Sequence, residues 1–192
     1  MTPTVIVLAA GTGSRFRAHG GSSGKLQALL AGRPVLEHVL QAVRDSGLPW
    51  HVVTQEATAS LSPQGMGTSI ACGVAATAQS PGWLILPGDL PLIQAHSLRA
   101  VAQALATHAV VVPTVHGQVG HPVGFAPRCG PDLMALRGDV GARSVVQAHG
   151  PALPLALDDE GCVWDVDTPE RDRKSTRLNS SHTDISRMPS SA

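Results

Sequence analysis

Aromatic residues make up only 3% of the 192-residue chain. Alanine, valine and leucine must therefore fill any core. An excess of charge of either sign is also missing. The formal net charge is zero, which gives no electrostatic preference for nucleic acid or for anionic lipid. No apolar stretch approaches the length of a membrane span. Cysteine is sparse: Cys72, Cys129 and Cys162 lie far apart and are odd in number. That argues against a disulfide framework or a cysteine zinc site and suits a reduced cytoplasm. The N-terminus runs directly into an apolar segment, with no basic region and no cleavage site, so no export signal is expected. What is present, a 43% hydrophobic chain of this length, suits one soluble domain with a real core.

The last segment stands apart. "RDRKSTRLNSSHTDISRMPSSA", residues 171–192, is rich in Ser and Arg and has no apolar periodicity. It resembles translated adapter sequence. The expectation is one domain over residues 1–170 and a disordered, non-native tail over 171–192. Residues 1–170 alone carry 9 basic and 12 acidic side chains, a net charge of −3.

Apolar periodicity orders the rest. Val5–Ala9 reads as a buried strand. Pro34–Ser46 reads as a helix, because Val35, Leu36, Val39, Leu40 and Val43 share a face, with Pro34 opening it and Gly47 closing it. Strands are expected at His51–Thr54, Trp83–Leu86, Ala109–Pro113, Pro122–Ala126 and Cys162–Val166. Helices are expected at Ser69–Ala78, Ser97–Ala106 and Ala142–His149. Strands alternating with helices predict an α/β fold: a three-layer α/β/α sandwich with a mainly parallel sheet covered on both faces. Ligands of such sheets bind beyond the carboxyl ends of the strands. The glycine turn after Ala9 and the "PGDLP" turn after Leu86 both fall at that edge.

"LAAGTGSRF", Leu8–Phe16, is a strand running into a glycine-rich turn, which suggests a phosphate site. The dinucleotide fingerprint needs a third glycine; Gly11 and Gly13 fit, but Phe16 holds the third position. No acidic residue follows the second strand at the expected distance, since Val52-Val53-Thr54 leads to Gln55 and Glu56. "HGGSSGKL" approaches a P-loop at Gly24-Lys25. However, His19 replaces its first glycine, Leu26 replaces its magnesium-binding hydroxyl, and no strand directly precedes it. What remains is a glycine turn with Arg15 and then Lys25. Backbone N–H groups in such a turn cradle phosphate oxygens, and two cations favour the departure of pyrophosphate. Each cation taken alone reads equally as a solvated loop charge.

Carboxylates complete the pattern. Asp89 follows an apolar strand, where it suits Mg²⁺, a cation that takes one or two carboxylates together with phosphate oxygens; it also suits a turn or a helix cap. "WDVDTPE" supplies Asp165 and Asp167. In a strand, residues two apart share a face, so either could meet the metal. Asp167 lies nearer the strand end and is the candidate, with a helix N-cap as its alternative. Glycine turn, cations and carboxylates together describe nucleotidyl transfer, in which the protein supplies position and charge.

"VLAAGTGSRF…KLQALLAGRPVLEHVL", "GMGTSIACG", "LPGDLPLI", "GHPVGF", "GDVGARSVV" and "DVDTPE" resemble, in that order, the motifs of the MobA-like nucleotidyltransferases, in particular the molybdenum cofactor cytidylyltransferase branch. The resemblance covers nearly all of residues 4–170. It implies a nucleotide-diphospho-sugar-transferase fold. It also implies Mg²⁺-dependent transfer of CMP from CTP to the terminal phosphate of the molybdenum-bound pterin, whose product serves hydroxylases of the xanthine-dehydrogenase type. Carried onto this chain, Leu8, Ala9, Ala10, Gly11 and Gly13 line the nucleotide, and Arg15 and Lys25 hold its phosphates. Gly67, Thr68 and Ser69 contact base or ribose. Asp89 and Asp167 bind the metal, and Arg15, Lys25 and Asp89 form the catalytic set. His121, Asp139 and Arg143 face the second substrate, although His121 also reads as a turn residue and Arg143 as a surface charge. Relatives that use GTP tend to read "LAGG" where this chain reads "LAAG", which favours CTP. Arg15 and Lys25 are ten residues apart, longer than the family pattern, but "LQALLAGRPVLEH" places Lys25 as the equivalent lysine. The alternatives are a different phosphate acceptor, GTP as donor, or a non-catalytic cofactor-delivery protein. Two retained carboxylates speak against pure delivery.

Overall fold

The computed structural model describes residues 2–11 and 24–166. Its centre is a seven-stranded sheet of β1 (Thr4–Ala9), β4 (Trp50–Thr54), β5 (Trp83–Pro87), β6 (Val110–Val115), β7 (Gln118–Val119), β8 (Val123–Phe125) and β9 (Leu153–Ala156). The order is β4-β1-β5-β8-β6-β7, with β9 also paired to β6. A separate two-residue hairpin joins β2 (Leu29–Leu30) to β3 (Arg33–Pro34). β1 is parallel to β4 and β5, and β6 is parallel to β9. β8 runs antiparallel to both β5 and β6, and β7 antiparallel to β6. The sheet is thus mainly parallel in strand direction, with β7 and β8 as its reversed strands.

Strand alternation builds the layers. Val5, Val7, Leu84, Leu86 and Val111 face one cluster; Ile6, Trp83, Ile85 and Val110 face the other. Both faces are apolar because both are covered. Helices α1 (Val35–Ser46) and α4 (Ala95–Ala104) supply Val39, Val43, Leu98 and Val101 to the first cluster. Helices α3 (Met66–Ala76) and α5 (Gly130–Ala135) supply Ile70, Val74 and Leu133 to the second. Full burial of each such side chain contributes about 1.5–3 kcal/mol, which compensates for the shortage of aromatics. The short helices α2 (Gln55–Thr58) and α6 (Arg143–Ala148) complete the set. Among the described residues, no helix is long and apolar enough to cross a membrane.

The crossovers explain where a site can form. From β1 the chain passes through α1 on one face to β4, then through α3 on the other face to β5, on the far side of β1. Strand order therefore reverses at β1, and a crevice opens beyond its carboxyl end. Pro34 caps α1, and Gly47 ends it in a left-handed conformation, φ 70°, with its N–H donating to the Arg44 carbonyl at 3.1 Å.

One expected strand is corrected. Cys162–Val166 is not a strand: Glu160–Cys162 is a 3₁₀ turn, and Val163 and Trp164 both donate N–H groups to the Glu160 carbonyl. The edge strand there is instead β9, earlier in the chain, at "LPLA".

Candidate active site

β1 and β5 end side by side, and the chain stays close beyond them. The Gly88 N–H donates to the Leu8 carbonyl at 3.0 Å. A Cβ on Gly88 would lie 2.9 Å from that same oxygen, so only glycine fits between the strand ends. Asp89 follows at once and projects from the sheet edge. Its carboxylate pairs with the Lys25 ammonium at 2.6 Å, with the two side chains 22% and 16% exposed respectively. Such a pair is screened far less than one at a fully exposed surface.

A cavity of about 470 Å³ lies beside this pair. Ala9, Gly11, Gly24 and Lys25 line one part of it, and Thr54, Gln55 and Glu56, at and just past the end of β4, line another. A Cβ on Gly11 or Gly24 would meet no described atom within 4 Å; both positions border the space that a ligand would fill. The Thr54 side chain hydrogen-bonds to the Glu56 carboxyl and holds it below its ordinary value, helped by the residue's own backbone N–H. Gln55 and Glu56 were weighed in the sequence only against the dinucleotide pattern. Their position at the end of a parallel strand was the signal for a role at the cavity.

His121 lies within reach of the Asp89 charge. Its backbone N–H donates to the Cys162 carbonyl at 2.8 Å. Its Nδ1 is buried without a hydrogen-bond partner among the described residues. Burial pushes the imidazole below its ordinary value, while the Asp89 charge and the Ile85 backbone pull it back up. The Val166 N–H donates to the Asp89 carbonyl at 3.0 Å. That bond brings the segment carrying Asp165 alongside Asp89.

The described candidate residues fall into two groups. Leu8, Ala9, Ala10, Gly11, Lys25, Asp89 and His121 gather at the carboxyl edge of β1 and β5. Gly67, Thr68 and Ser69 form the first turn of α3, packed against the loop that carries Asp139 and precedes Arg143. The Gly67 N–H donates to the Gly138 carbonyl at 2.7 Å, and the Gly138 N–H donates to Thr68 Oγ1 at 2.9 Å. Thr68 and Ser69 turn their hydroxyls inward, donating to the Pro63 and Gly65 carbonyls at 2.5 and 3.0 Å. Asp139 and Arg143 are exposed. Gly13, Arg15 and Asp167 lie outside the described residues.

The donor set suits a divalent cation bound together with a nucleotide. Among the described residues no three His, Cys, Asp or Glu side chains cluster closely enough to hold a metal by themselves. Mg²⁺ held through phosphates needs only one or two carboxylates, and Asp89 already has a cation, the Lys25 ammonium, against its oxygen.

The fold is of the nucleotide-diphospho-sugar-transferase type. In the solved structure of Rv0371c from Mycobacterium tuberculosis the match covers 92% of this chain and 99% of that one, with 24% identity and a TM-score of 0.75. The same protein has also been solved as a manganese complex, at a TM-score of 0.72. Molybdopterin-guanine dinucleotide biosynthesis protein A from Archaeoglobus fulgidus aligns at 14% identity over 93% of this chain and 99% of that one, with a TM-score of 0.65. The family model described as MobA-like NTP transferase domain matches residues 5–153, and the chain belongs to that family. The purine catabolism protein PucB of Bacillus subtilis is 30% identical over 167 residues, 79% of this chain and 81% of its own.

Proposed function

We propose that the protein transfers CMP from CTP to the terminal phosphate of a molybdenum-bound pterin and releases pyrophosphate. The supporting observation is the Lys25–Asp89 pair at the carboxyl edge of β1 and β5, beside a cavity lined by the glycine turn. The cavity takes the nucleotide, with Ala9 and Gly11 lining it and Ala10 beside it in the turn. The Lys25 ammonium neutralises charge on the triphosphate. An oxygen of the acceptor phosphate bonds to the α-phosphorus, the bond from that phosphorus to the bridging oxygen breaks, and pyrophosphate leaves with the electron pair. Arg15, in the same turn by sequence, adds a second positive charge for the leaving group. Asp89 and Asp167 would hold Mg²⁺, which when bound supplies Lewis-acid polarisation of the phosphate oxygens. His121, Asp139 and Arg143 face the acceptor. The nucleotidylated cofactor then passes to a hydroxylase of the xanthine-dehydrogenase type. Residues 1–170 form the working domain in this reading.

The choice of CTP rests on Ala10. Each carbon added where the turn approaches the base takes volume from the pocket, and a pyrimidine tolerates that loss better than a purine. Steric differences of this size are worth about 1–3 kcal/mol, roughly tenfold to two-hundredfold in specificity. Ala10→Gly should raise kcat/KM for GTP relative to CTP by a factor in that range. An unchanged ratio would remove the role given to Ala10.

A second reading keeps the chemistry and changes the acceptor. It is favoured by the breadth of the relatives, one of which is named for purine catabolism. Measuring pyrophosphate release with pterin and sugar-phosphate acceptors separates the two.

A further inference from the structure

Asp159 is the most deeply buried carboxylate among the described residues, 2% exposed, and sequence reasoning assigned it nothing. It lies far from the glycine turn in sequence, yet every bond it makes fixes the segment that reaches Asp89. Its Oδ2 accepts from the Gln94 N–H at 3.0 Å and from the Ser97 hydroxyl at 2.6 Å. The Cys162 thiol also donates to Oδ2, at 3.7 Å. Its Oδ1 accepts from the Gly161 N–H at 2.9 Å. One carboxylate thus caps the start of α4 and holds the 3₁₀ turn that follows it in sequence.

Downstream, the chain has little freedom. Gly161 lies against the backbone of Leu92, so closely that a Cβ would overlap the Leu92 carbonyl. Cys162 accepts the His121 N–H through its carbonyl, and Val166 donates to the Asp89 carbonyl. The segment is therefore tied successively to α4, to the loop after Asp89, to His121 and to Asp89 itself. Asp165 lies on this segment, one residue before the last tie.

We propose that Asp159 is a positioning residue for the cation site: it clamps residues 160–166 onto the Asp89 loop and so sets the spacing between Asp89 and the segment that carries Asp165. This rests on the reading of Asp89 as a metal ligand. A buried carboxylate costs desolvation, repaid here only through charge-assisted bonds to fixed donors. Residues that act through a ligand's support typically change metal affinity by about 10–100-fold when altered.

The experiment is a titration of the preformed Mn²⁺ complex of CTP, followed by electron paramagnetic resonance, on the wild type, Asp159→Asn and Ser97→Ala, well below each melting temperature. In Asp159→Asn an amide N–H replaces one oxygen, so either Gly161 or Gln94 loses its acceptor. The expected result is a rise in the dissociation constant of that complex of about 10–100-fold, with folded circular dichroism retained. Ser97→Ala removes only a hydroxyl and keeps the clamp measurable if the first variant does not fold; it should shift affinity in the same direction by a smaller factor. Variants that melt earlier but bind the complex as the wild type does would reduce Asp159 to a helix cap and overturn the proposal. A wild type that takes up no Mn²⁺ from the CTP complex would overturn it through the metal-site reading instead, a distinguishable failure.

Discussion

Gly67→Ala is a sharp structural perturbation in the first turn of α3. A Cβ at this position would overlap the Val140 carbonyl oxygen and would lie 3.1 Å from the carbonyl oxygens of both Arg137 and Gly138. All three are backbone atoms, so no rotamer change relieves the crowding. Overpacking of this kind costs about 1–3 kcal/mol. Alanine's helix propensity offsets as much as about 1 kcal/mol in a helix interior and less in the first turn, where Gly67 sits. The net loss should be about 1–2 kcal/mol, or about 2–8 °C in melting temperature for a chain of this size. Separation of the two backbones would also lengthen the 2.7 Å bond from Gly67 N–H to the Gly138 carbonyl. Thr68→Val attacks the same junction chemically. It removes the acceptor of the Gly138 N–H and the donor to the Pro63 carbonyl at a site 4% exposed, for about 1–3 kcal/mol. Because the two residues share one junction, the double variant should lose less than the sum. The assay is thermal unfolding by circular dichroism, with acceptor KM measured in parallel. In the proposed reading both KM values rise: nucleotide KM because Gly67–Ser69 contact base or ribose, and acceptor KM because Asp139 and Arg143 ride on the displaced loop. A Gly67→Ala variant that melts at or above the wild-type temperature would refute the reasoning: propensity would have won and the 137–140 loop would have yielded freely.

Asp89→Ala should leave a folded protein whose pyrophosphate release falls by several orders of magnitude, because a metal-phosphate site loses several kcal/mol of charge stabilisation with its carboxylate; near-normal turnover would remove the core of the functional reading. Burial, followed by the Asp159 charge, pushes the Cys162 thiol from 9.0 up to about 12, with the Ser97 hydroxyl opposing. The unfolded chain therefore releases this proton above about pH 9 while the folded chain retains it. Stability from this residue is complete below pH 9 and falls as pH rises towards 12. Cys162→Ala should flatten that alkaline limb in denaturant titrations, whereas an unchanged slope would place the loss elsewhere. Cys72, the partly exposed cysteine, should be alkylated first in the native protein.

The architecture was legible where local pattern and burial coincide. β1 and β5 are continuous apolar runs because both of their faces are covered, and α1 carries its own stop in Gly47. β9 was hidden by Pro154, which looks wrong for a strand but sits at the sheet edge, where a missing N–H costs little. The opposite error fell on Cys162–Val166. Its apolar residues read as a strand, yet the Gly161 N–H bonds to Asp159 and the chain turns, so these residues pack against the Asp89 loop rather than joining the sheet. α3 begins at Met66 rather than Ser69, since Gly65 and Gly67 read as loop residues. Gly67 is glycine because the Val140 backbone passes there, not because the helix has not started. α4 likewise begins at Ala95, before Ser97, because the cap comes from Asp159, 62 residues further along the chain. At the site, the placement of Asp89 just past a strand end could be read from sequence. The closure of Val166 onto Asp89, and of Cys162 onto His121, could not, for these are single long-range backbone bonds with no residue-type signature.

In the proposed reading the carboxyl edge of β1 and β5 transfers CMP from CTP to a molybdenum-bound pterin phosphate. The direct measurement is pyrophosphate release in the presence of Mg²⁺, with CTP or GTP, each with and without molybdenum cofactor as acceptor, reported as kcat/KM. Release should depend on the acceptor and show a clear preference for CTP. Preference for GTP, or release indifferent to the acceptor, would contradict it.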